Sequence, residues 1–189
     1  ASDPVARLGE PLLVFGDEIH LASLVHKAHG SRLHAFSSAP LGPIGSVKEG
    51  RAQILLYPAR RLPTLNAGAA IPPVPILLVG SDLEPESVEI FAADSIAGLV
   101  IAAAGGGHVS ARAVETLTAL AARKPVILTS RSEGGVLSHT YGYAGSEMEL
   151  LADGLISGGR WRPEQARIML QLLLSRQADR TAIAAALGH

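Results

Sequence analysis

Between Ile76 and Thr129 the chain reads ILLVGSDLEPESVEIFAADSIAGLVIAAAGGGHVSARAVETLTALAARKPVILT, and this stretch decides its fold. Three short apolar runs, at 76–79, 98–102 and 125–129, alternate with two segments of helical pattern, at about 84–93 and 110–123. That order of strand, helix, strand, helix and strand predicts a parallel sheet with right-handed crossovers. The second helix is the better marked, because its apolar residues share one face and Ser110 can serve as its N-cap.

The flanking segments extend this pattern in both directions. Two further helices are predicted downstream, at 162–175 and 179–187. Upstream, Pro58 to Pro75 holds five of the 12 prolines and has no apolar periodicity, which is typical of a linker. Leu12 to Gly16 resembles a buried parallel strand with a loop at its carboxyl end, 51–57 is a second strand, and a polar loop or helix is expected between them.

Composition excludes several classes of protein. The 189 residues are 48% hydrophobic with a formal net charge of −1, so the chain can bury a sizeable core. Lys plus Arg number 16 against 17 Asp plus Glu, so we expect no nucleic acid and no membrane as partners. The absence of Cys excludes disulfide frameworks, thiolate metal sites and cysteine nucleophiles. No apolar run approaches the roughly 20 residues of a membrane span.

Ligands of open parallel sheets bind at the carboxyl ends of strands, so the loops there are the first candidates for a site. These loops are Gly16–Glu18, Gly80–Asp82, Ala104–His108 and Thr129–Arg131. The three glycines before His108 do not have the spacing of a nucleotide-binding loop, which favours a tight turn over a phosphate cradle. Arg131 could bind a substrate carboxylate or form a structural ion pair.

Other polar residues admit two interpretations each. Four histidines, His20, His26, His29 and His34, fall within 15 residues, but their spacing does not match H-E-x-x-H. Solvated or hydrogen-bonding histidines are the default, and a zinc site is the alternative. Lys27, between two of these histidines, is by itself a surface lysine. Glu147 and Glu149 are by themselves carboxylates at a helix start, where the helix dipole favours them.

Several segments together resemble the bacterial-type L-asparaginases, the asparaginase/glutaminase amidohydrolases. The segments occur in the family's order over nearly the whole chain. They are LLVFGDEIHLASLVHKAHGSRLHAFSSAPLGPIG (12–45), GLVIAAAGGGH (98–108), Thr129-Ser130-Arg131, YAGSEMELLADGLISG (143–158) and PEQAR (163–167). The resemblance implies an α/β fold of parallel sheets with flanking helices, in which a Rossmann-like small C-terminal domain follows a larger α/β domain.

The resemblance also implies a domain organisation. Residues 1–58 correspond to the distal part of the large domain, 59–75 to the linker and 76–189 to the small domain. The family's Thr-Gly-Gly-Thr motif, which carries the nucleophile, and its Thr-Asp pair do not occur between Ala1 and His189. We therefore expect the chain to be part of a longer enzyme and to be inactive alone. A cytoplasmic location is expected, with periplasmic or secreted placement left open.

The implied activity is hydrolysis of L-asparagine, with L-glutamine as a further substrate, through a threonyl ester. By this resemblance Lys27 matches the family's catalytic lysine. Burial lowers the pKa of a lysine, so that its neutral amine can accept a proton. His108 and Glu147 match residues that the small domain lends to the substrate site of a neighbouring subunit, so a homodimer or homotetramer is implied. No cofactor and no metal are implied.

Two departures from the family pattern are Ala28, where Thr often follows the lysine, and His108, where Asn is frequent. The alternatives are a non-catalytic amino-acid-binding or regulatory module of the same fold, and a zinc hydrolase built on the histidines.

Overall fold

The computed structural model describes residues 5, 8–59, 62, 64–132 and 140–188. The chain divides into two compact units, Ala1–Thr64 and Leu65–His189. The start at Ala1 and three residues of the predicted linker lie outside the described residues. The predicted ranges of the domains and the linker stay predictions.

The first unit is built on antiparallel strands. In chain order these are β1 (Leu12–Phe15), β2 (Glu18–Leu21), β3 (His26–Lys27), β4 (Phe36–Ser37), β5 (Gly45–Lys48) and β6 (Arg51–Ile54). Four of them form one sheet in the order β1-β2-β5-β6, and β3 pairs separately with β4. A small core of Leu8, Ile19, Leu21 and Ile44 lies against this sheet.

The prediction of a parallel strand at Leu12 to Gly16 is wrong. β1 pairs antiparallel with β2 through a two-residue turn, in which Gly16 has φ 58° and Asp17 has φ 64°. Positive φ at both central residues is the geometry of a tight hairpin turn, so Gly16–Glu18 joins two antiparallel strands and does not lie at the carboxyl edge of a parallel sheet. Two residues of β1, Val14 and Phe15, are exposed rather than buried.

The second unit contains the predicted parallel sheet. Its strands are β7 (Ile76–Leu78), β8 (Leu99–Ala103), β9 (Val126–Ser130) and β10 (Ile156–Ser157), in the spatial order β10-β9-β8-β7 and all parallel. Its helices are α1 (Pro85–Glu89), α2 (Val114–Arg123), α3 (Glu147–Ala152), α4 (Pro163–Ser175) and α5 (Arg180–Leu187). The predicted α/β fold with flanking helices is confirmed.

The core of this unit lies on both faces of the sheet. Every residue of β8 and β9 is buried. Leu99, Ile101 and Leu128 pack with Leu117 of α2 in one cluster. Because side chains alternate along a strand, Val100 and Ile127 point to the opposite face, and α4 packs against β8 and β9. Burial on both faces explains why these strands are continuous apolar runs.

Two helices differ from the prediction, one at its end and one at its start. The helix predicted at 84–93 is the short α1 followed by a 3₁₀ turn, Ile90–Ala92. The helix predicted at 110–123 begins with a 3₁₀ turn, Ala111–Ala113, and continues as α2. Ser110 does not cap that turn with its side chain, which hydrogen-bonds Asp82 instead.

Part of the proline-rich segment packs on α4. Ser175 Oγ accepts the backbone N–H of Gly68 at 2.8 Å. Gln171 donates to the carbonyl of Pro72 at 3.0 Å, and Arg167 donates to that of Val74 at 2.6 Å. Residues 68–74 are therefore held by hydrogen bonds within the second unit. No helix among the described residues is long and apolar enough to cross a membrane.

Candidate functional site

The loop after β8 is a tight turn that places His108 at the carboxyl edge of the parallel sheet. Ala104 and His108 exchange backbone hydrogen bonds at 3.1 and 2.9 Å. Gly105 and Gly107 have φ of 50° and 119°, which glycine adopts without the steric cost of a side chain. Ser130, at the end of β9, donates its hydroxyl to the carbonyl of Gly105 at 2.5 Å. The glycines therefore serve a turn, as the sequence favoured.

Glu147 is brought to the same edge by the start of α3. Ser146 is the N-cap of that helix, and its hydroxyl accepts the N–H of Glu149 at 3.5 Å. Glu149 in turn accepts the N–H of Gly145 at 2.6 Å. These reciprocal bonds fix the first turn, where the helix dipole stabilises a carboxylate. Glu147 is therefore a positioned residue of the first turn rather than a solvated one.

The side chain of Glu147 is completely buried. Its Oε1 accepts backbone N–H groups from Thr140 at 3.0 Å and Tyr141 at 3.4 Å. Burial by itself raises the pKa of Glu147, but the amides of Thr140, Glu147 and Tyr141 and the nearby His108 together hold that pKa below its ordinary value. The site therefore contains a buried carboxylate that is kept in its charged form.

His108 and Glu147, predicted separately, are in contact. Nδ1 of His108 lies 3.3 Å from Oε2 of Glu147, and the imidazole side chain is 19% exposed. Neither atom has a hydrogen-bond partner among the described residues, so the ring and the carboxylate are close without being aligned.

Two tyrosines complete the surroundings of His108. The rings of Tyr141 and Tyr143 lie 5.1 and 5.2 Å from the imidazole, and 5.9 Å from each other. Both tyrosines are about half exposed. Sequence reasoning missed them as site residues, although two of the three tyrosines of the chain stand directly before the cap of α3.

Lys27 belongs to the other compact unit and is described there by itself. It lies on β3 opposite Phe36, and its Nζ is 6.0 Å from the centre of the Phe36 ring. The side chain is exposed. Burial would favour the neutral amine that a proton relay needs, but the described residues of this unit do not bury Lys27. The role of Lys27 stays a prediction.

The four histidines around Lys27 have different environments. His20 is buried, with Nδ1 2.9 Å from the hydroxyl of Ser38 and Nε2 3.4 Å from Glu18. His29 and His34 are exposed, and His26 lies on β3. In the described part of the chain, no three His, Cys, Asp or Glu side chains come together in a way that could hold a metal ion.

The remaining loops at the carboxyl edge have structural contacts. Arg131 donates to the carbonyl of Val79 at 2.5 Å and so ties the end of β9 to the end of β7. Asp82 accepts from Leu83 at 2.8 Å and pairs with Arg112. Hydrogen bonds from Ser110, Arg112 and Leu83 hold the pKa of Asp82 below its ordinary value. These contacts join neighbouring segments at the carboxyl edge of the sheet, so the described partners of Arg131 and Asp82 are structural.

The fold and these contacts define an α/β protein with a charged carboxylate, an imidazole and two phenol rings at the carboxyl edge of a parallel sheet. Comparison with known families matches residues 73–187 to the Glutaminase/Asparaginase C-terminal domain and residues 1–60 to the Asparaginase N-terminal domain. The chain therefore belongs to the asparaginase/glutaminase family of amidohydrolases, and the resemblance seen in the sequence is confirmed.

Individual relatives include two kinds of enzyme. The chain is 34% identical over 174 residues to a probable L-asparaginase of Deinococcus radiodurans, an alignment that covers 90% of the chain and 52% of the relative. It is 25% identical to an L-asparaginase of Bacillus licheniformis over 176 residues, 93% of the chain and 54% of the relative.

The second kind is a subunit of Glutamyl-tRNA(Gln) amidotransferase. The chain is 31% identical to that subunit of Methanosarcina acetivorans over 169 residues, 86% of the chain and 39% of the relative. The chain thus spans about half the length of the L-asparaginases it matches, and less of the amidotransferase subunits.

Proposed function

We propose that the chain is part of an enzyme that hydrolyses the side-chain amide of L-asparagine to L-aspartate and ammonia, with L-glutamine as a second candidate substrate. The observation that carries this proposal is the carboxylate of Glu147. It is buried, charged and fixed through Oε1, while Oε2 accepts no hydrogen bond from the described residues. An α-amino acid offers an ammonium group, which is the natural partner of such an oxygen.

The proposed reaction uses residues of this chain together with a nucleophile, which we propose to be a threonine. The threonine oxygen forms a bond to the amide carbon, the carbon–nitrogen bond breaks and ammonia leaves. Water then cleaves the threonyl ester. The nucleophile must lose its proton as it attacks, and Lys27 is proposed to carry that proton in a relay. His108 and Glu147 are proposed to bind the substrate, and none of these steps needs a cofactor.

The proposed site joins residues of two subunits. Lys27 belongs to the first compact unit and Glu147 to the second. We propose that the second unit lends Glu147 and His108 to the nucleophile of a neighbouring copy, in a homodimer or homotetramer. We also propose that the enzyme is cytoplasmic.

Ammonia release tests the proposal. The 189-residue chain should release no ammonia from L-asparagine, because it has no Thr-Gly-Gly-Thr segment. Protein isolated from its natural source, with its intact mass measured, should release ammonia in proportion to protein. Turnover by the 189-residue chain itself would overturn the assignment of the nucleophile. Turnover by neither preparation, with L-aspartate still bound, would instead support a non-catalytic amino-acid-binding module.

Three hydroxyls of the chain, those of Thr129, Ser38 and Ser37, make poor nucleophiles. Thr129 is fully buried and donates to the carbonyl of Ile101 at 2.7 Å, and Ser38 is buried against His20. Ser37 Oγ accepts the backbone N–H of Ala39 at 3.1 Å. These contacts count against Thr129, Ser38 and Ser37 as the nucleophile.

A second candidate function is amide hydrolysis within an amidotransferase. Identity of 31% to the Glutamyl-tRNA(Gln) amidotransferase subunit of Methanosarcina acetivorans favours this candidate specifically. An enzyme that acts alone releases ammonia freely from L-asparagine. A component of an amidotransferase would need its partner and charged tRNA for full turnover, so the dependence of the rate on these additions separates the two candidates.

A further inference from the structure

The two carboxylate oxygens of Glu147 have different surroundings. Oε1 is held by the N–H groups of Thr140 and Tyr141. Oε2 is inaccessible to solvent and accepts no hydrogen bond from the described residues. A buried carboxylate oxygen without a donor costs free energy, so a cationic donor that reaches Oε2 gains more than it would at the surface. Oε2 is therefore the carboxylate oxygen left to accept a ligand's ammonium group, and such a ligand has to displace the side chain that covers this atom.

His108 already stands next to that atom. Its Nδ1 is 3.3 Å from Oε2 and is itself buried without a hydrogen bond among the described residues. A small rotation of the ring would turn this contact into a charge-assisted hydrogen bond when the imidazole is protonated. The aromatic rings of Tyr141 and Tyr143 lie about 5 Å from the imidazole and form the rest of its described surroundings.

We infer that the imidazolium of His108 and the primary ammonium group of a ligand compete for Oε2 of Glu147, so that His108 weakens ammonium binding as the pH falls. This inference rests on the proposed role of Glu147 in recognising an ammonium group, and it does not depend on hydrolysis. His108 is thus a residue that sets the pH range of binding.

The sign of the effect follows from the charges around the ring. Protonated His108 is positive and occupies Oε2, and neutral His108 leaves it to the ligand. Among the described residues, the titratable groups in contact with the ring are Glu147 on α3 and the phenols of Tyr141 and Tyr143. Neighbouring loops carry Arg131, bonded to a carbonyl, and Asp82, paired with Arg112.

Of these groups, histidine is the one that ordinarily changes charge between about pH 5.5 and 8.0. The pKa of Glu147 and that of Asp82 both lie below the ordinary values, so neither side chain gains a proton in that range. The competition should therefore depend on the imidazole rather than on either of these carboxylates.

Titration by NMR tests the competition in the 189-residue chain. Methylammonium chloride is the probe, and the backbone amides of Thr140 and Tyr141 report on Glu147 because they bond its Oε1. Tetramethylammonium chloride at the same concentration is the comparison, since it has a positive charge but no N–H to donate. We expect saturable shifts with methylammonium at about pH 8.0 and a dissociation constant about tenfold larger at about pH 5.5. Tetramethylammonium should bind more weakly.

Substitutions of His108 test whether this residue causes the pH dependence of methylammonium binding. His108→Asn and His108→Gln should bring the two dissociation constants within about twofold of each other, while His29→Asn, a matched change at an exposed histidine, should keep the difference. Equal constants in the parent chain, a difference that persists in both His108 variants, or no saturable shift at the higher pH would each overturn the inference. A pH-dependent difference in a protein that hydrolyses no amide would leave the inference standing and overturn the proposed function.

Discussion

Val109 donates its backbone N–H to the carbonyl oxygen of Gly145 at 2.9 Å. This hydrogen bond joins the residue after His108 to the residue two before Glu147. The loop after β8 and the start of α3 are thus tied together beside the site, where the imidazole and the carboxylate lie 3.3 Å apart. The site is held by its loops as well as by its side chains.

Gly145→Ala tests this contact. Gly145 has φ 87°, and a Cβ there would clash with the carbonyl oxygen of Val109. Because that neighbour is backbone, it cannot move aside cheaply. We expect the free energy of unfolding to fall by about 2 kcal/mol or more, which lowers Tm by roughly 4–8 °C. Gly142→Ala is the control, since nothing lies within 4 Å of a Cβ at that position. Equal melting temperatures for the two variants would contradict this account.

A matched pair of threonines tests how polar groups stabilise the second unit. Thr129 Oγ1 donates to the carbonyl of Ile101 at 2.7 Å, whereas the buried Oγ1 of Thr118 has no hydrogen-bond partner among the described residues. Valine keeps the shape and removes the hydroxyl. Thr129→Val should lower the free energy of unfolding by about 1 kcal/mol, while Thr118→Val should leave it unchanged or raise it. Urea unfolding of both variants measures the difference. A larger loss of stability in Thr118→Val than in Thr129→Val would contradict the stabilising role given to the Thr129 hydrogen bond.

The parallel sheet could be predicted because its strands are buried on both faces. Leu99–Ala103 and Val126–Ser130 have no exposed residue, so nothing interrupts their apolar runs. The antiparallel sheet of the first unit was not predicted because Leu12–Phe15 is also a short apolar run, although it forms a partly exposed antiparallel strand. The signal that distinguishes it is the Gly16-Asp17 dipeptide, which a tight hairpin turn favours. Glu49 and Gly50, also at positive φ, form the equivalent turn between β5 and β6.

The candidate site was only partly predictable, for a physical reason. His108 and Glu147 were identified by family resemblance, and neither spacing nor periodicity brings together residues that lie in separate loops. Their contact depends on the Val109–Gly145 hydrogen bond and on the amides of Thr140 and Tyr141, and backbone groups leave no mark in a sequence. The two tyrosines were missed because an aromatic pair before a helix cap is usually part of the surface.

Acid sensitivity tests the charge state of Glu147. Its folded pKa lies below the ordinary value, so the charged form contributes stability that is present above the unfolded pKa and is lost as the pH falls through the folded one. Between about pH 5 and pH 3 the parent chain should therefore lose stability faster than Glu147→Gln. Urea midpoints across this range measure the effect. Glu89→Gln, at an exposed position, should follow the parent, and a parallel decline in Glu147→Gln would count against a charged Glu147.

Lys27→Met tests the proton relay in the complete enzyme proposed above, the one that also contains the nucleophile. Methionine keeps an apolar stem of similar length and removes the nitrogen, and Lys27 is exposed on a two-residue strand, so the fold should be retained. The loss should lie in kcat, with KM nearly unchanged, because a relay acts on the reacting proton rather than on the bound substrate. General acid–base groups contribute about 10²- to 10⁴-fold, which sets the expected size of the loss.

Two neighbouring histidines are the controls for that variant. His26→Ala and His29→Ala should each change kcat little, because in this proposal they flank the lysine without taking part in the proton transfer. Loss of activity and of a bound metal in both histidine variants, with Lys27→Met still active, would replace the relay by a zinc site. Full activity in all three variants would remove this whole loop from the catalytic machinery. Since the exposed Lys27 is not enclosed by the described residues of its own unit, a large kcat effect would also require that another part of the assembled enzyme covers it.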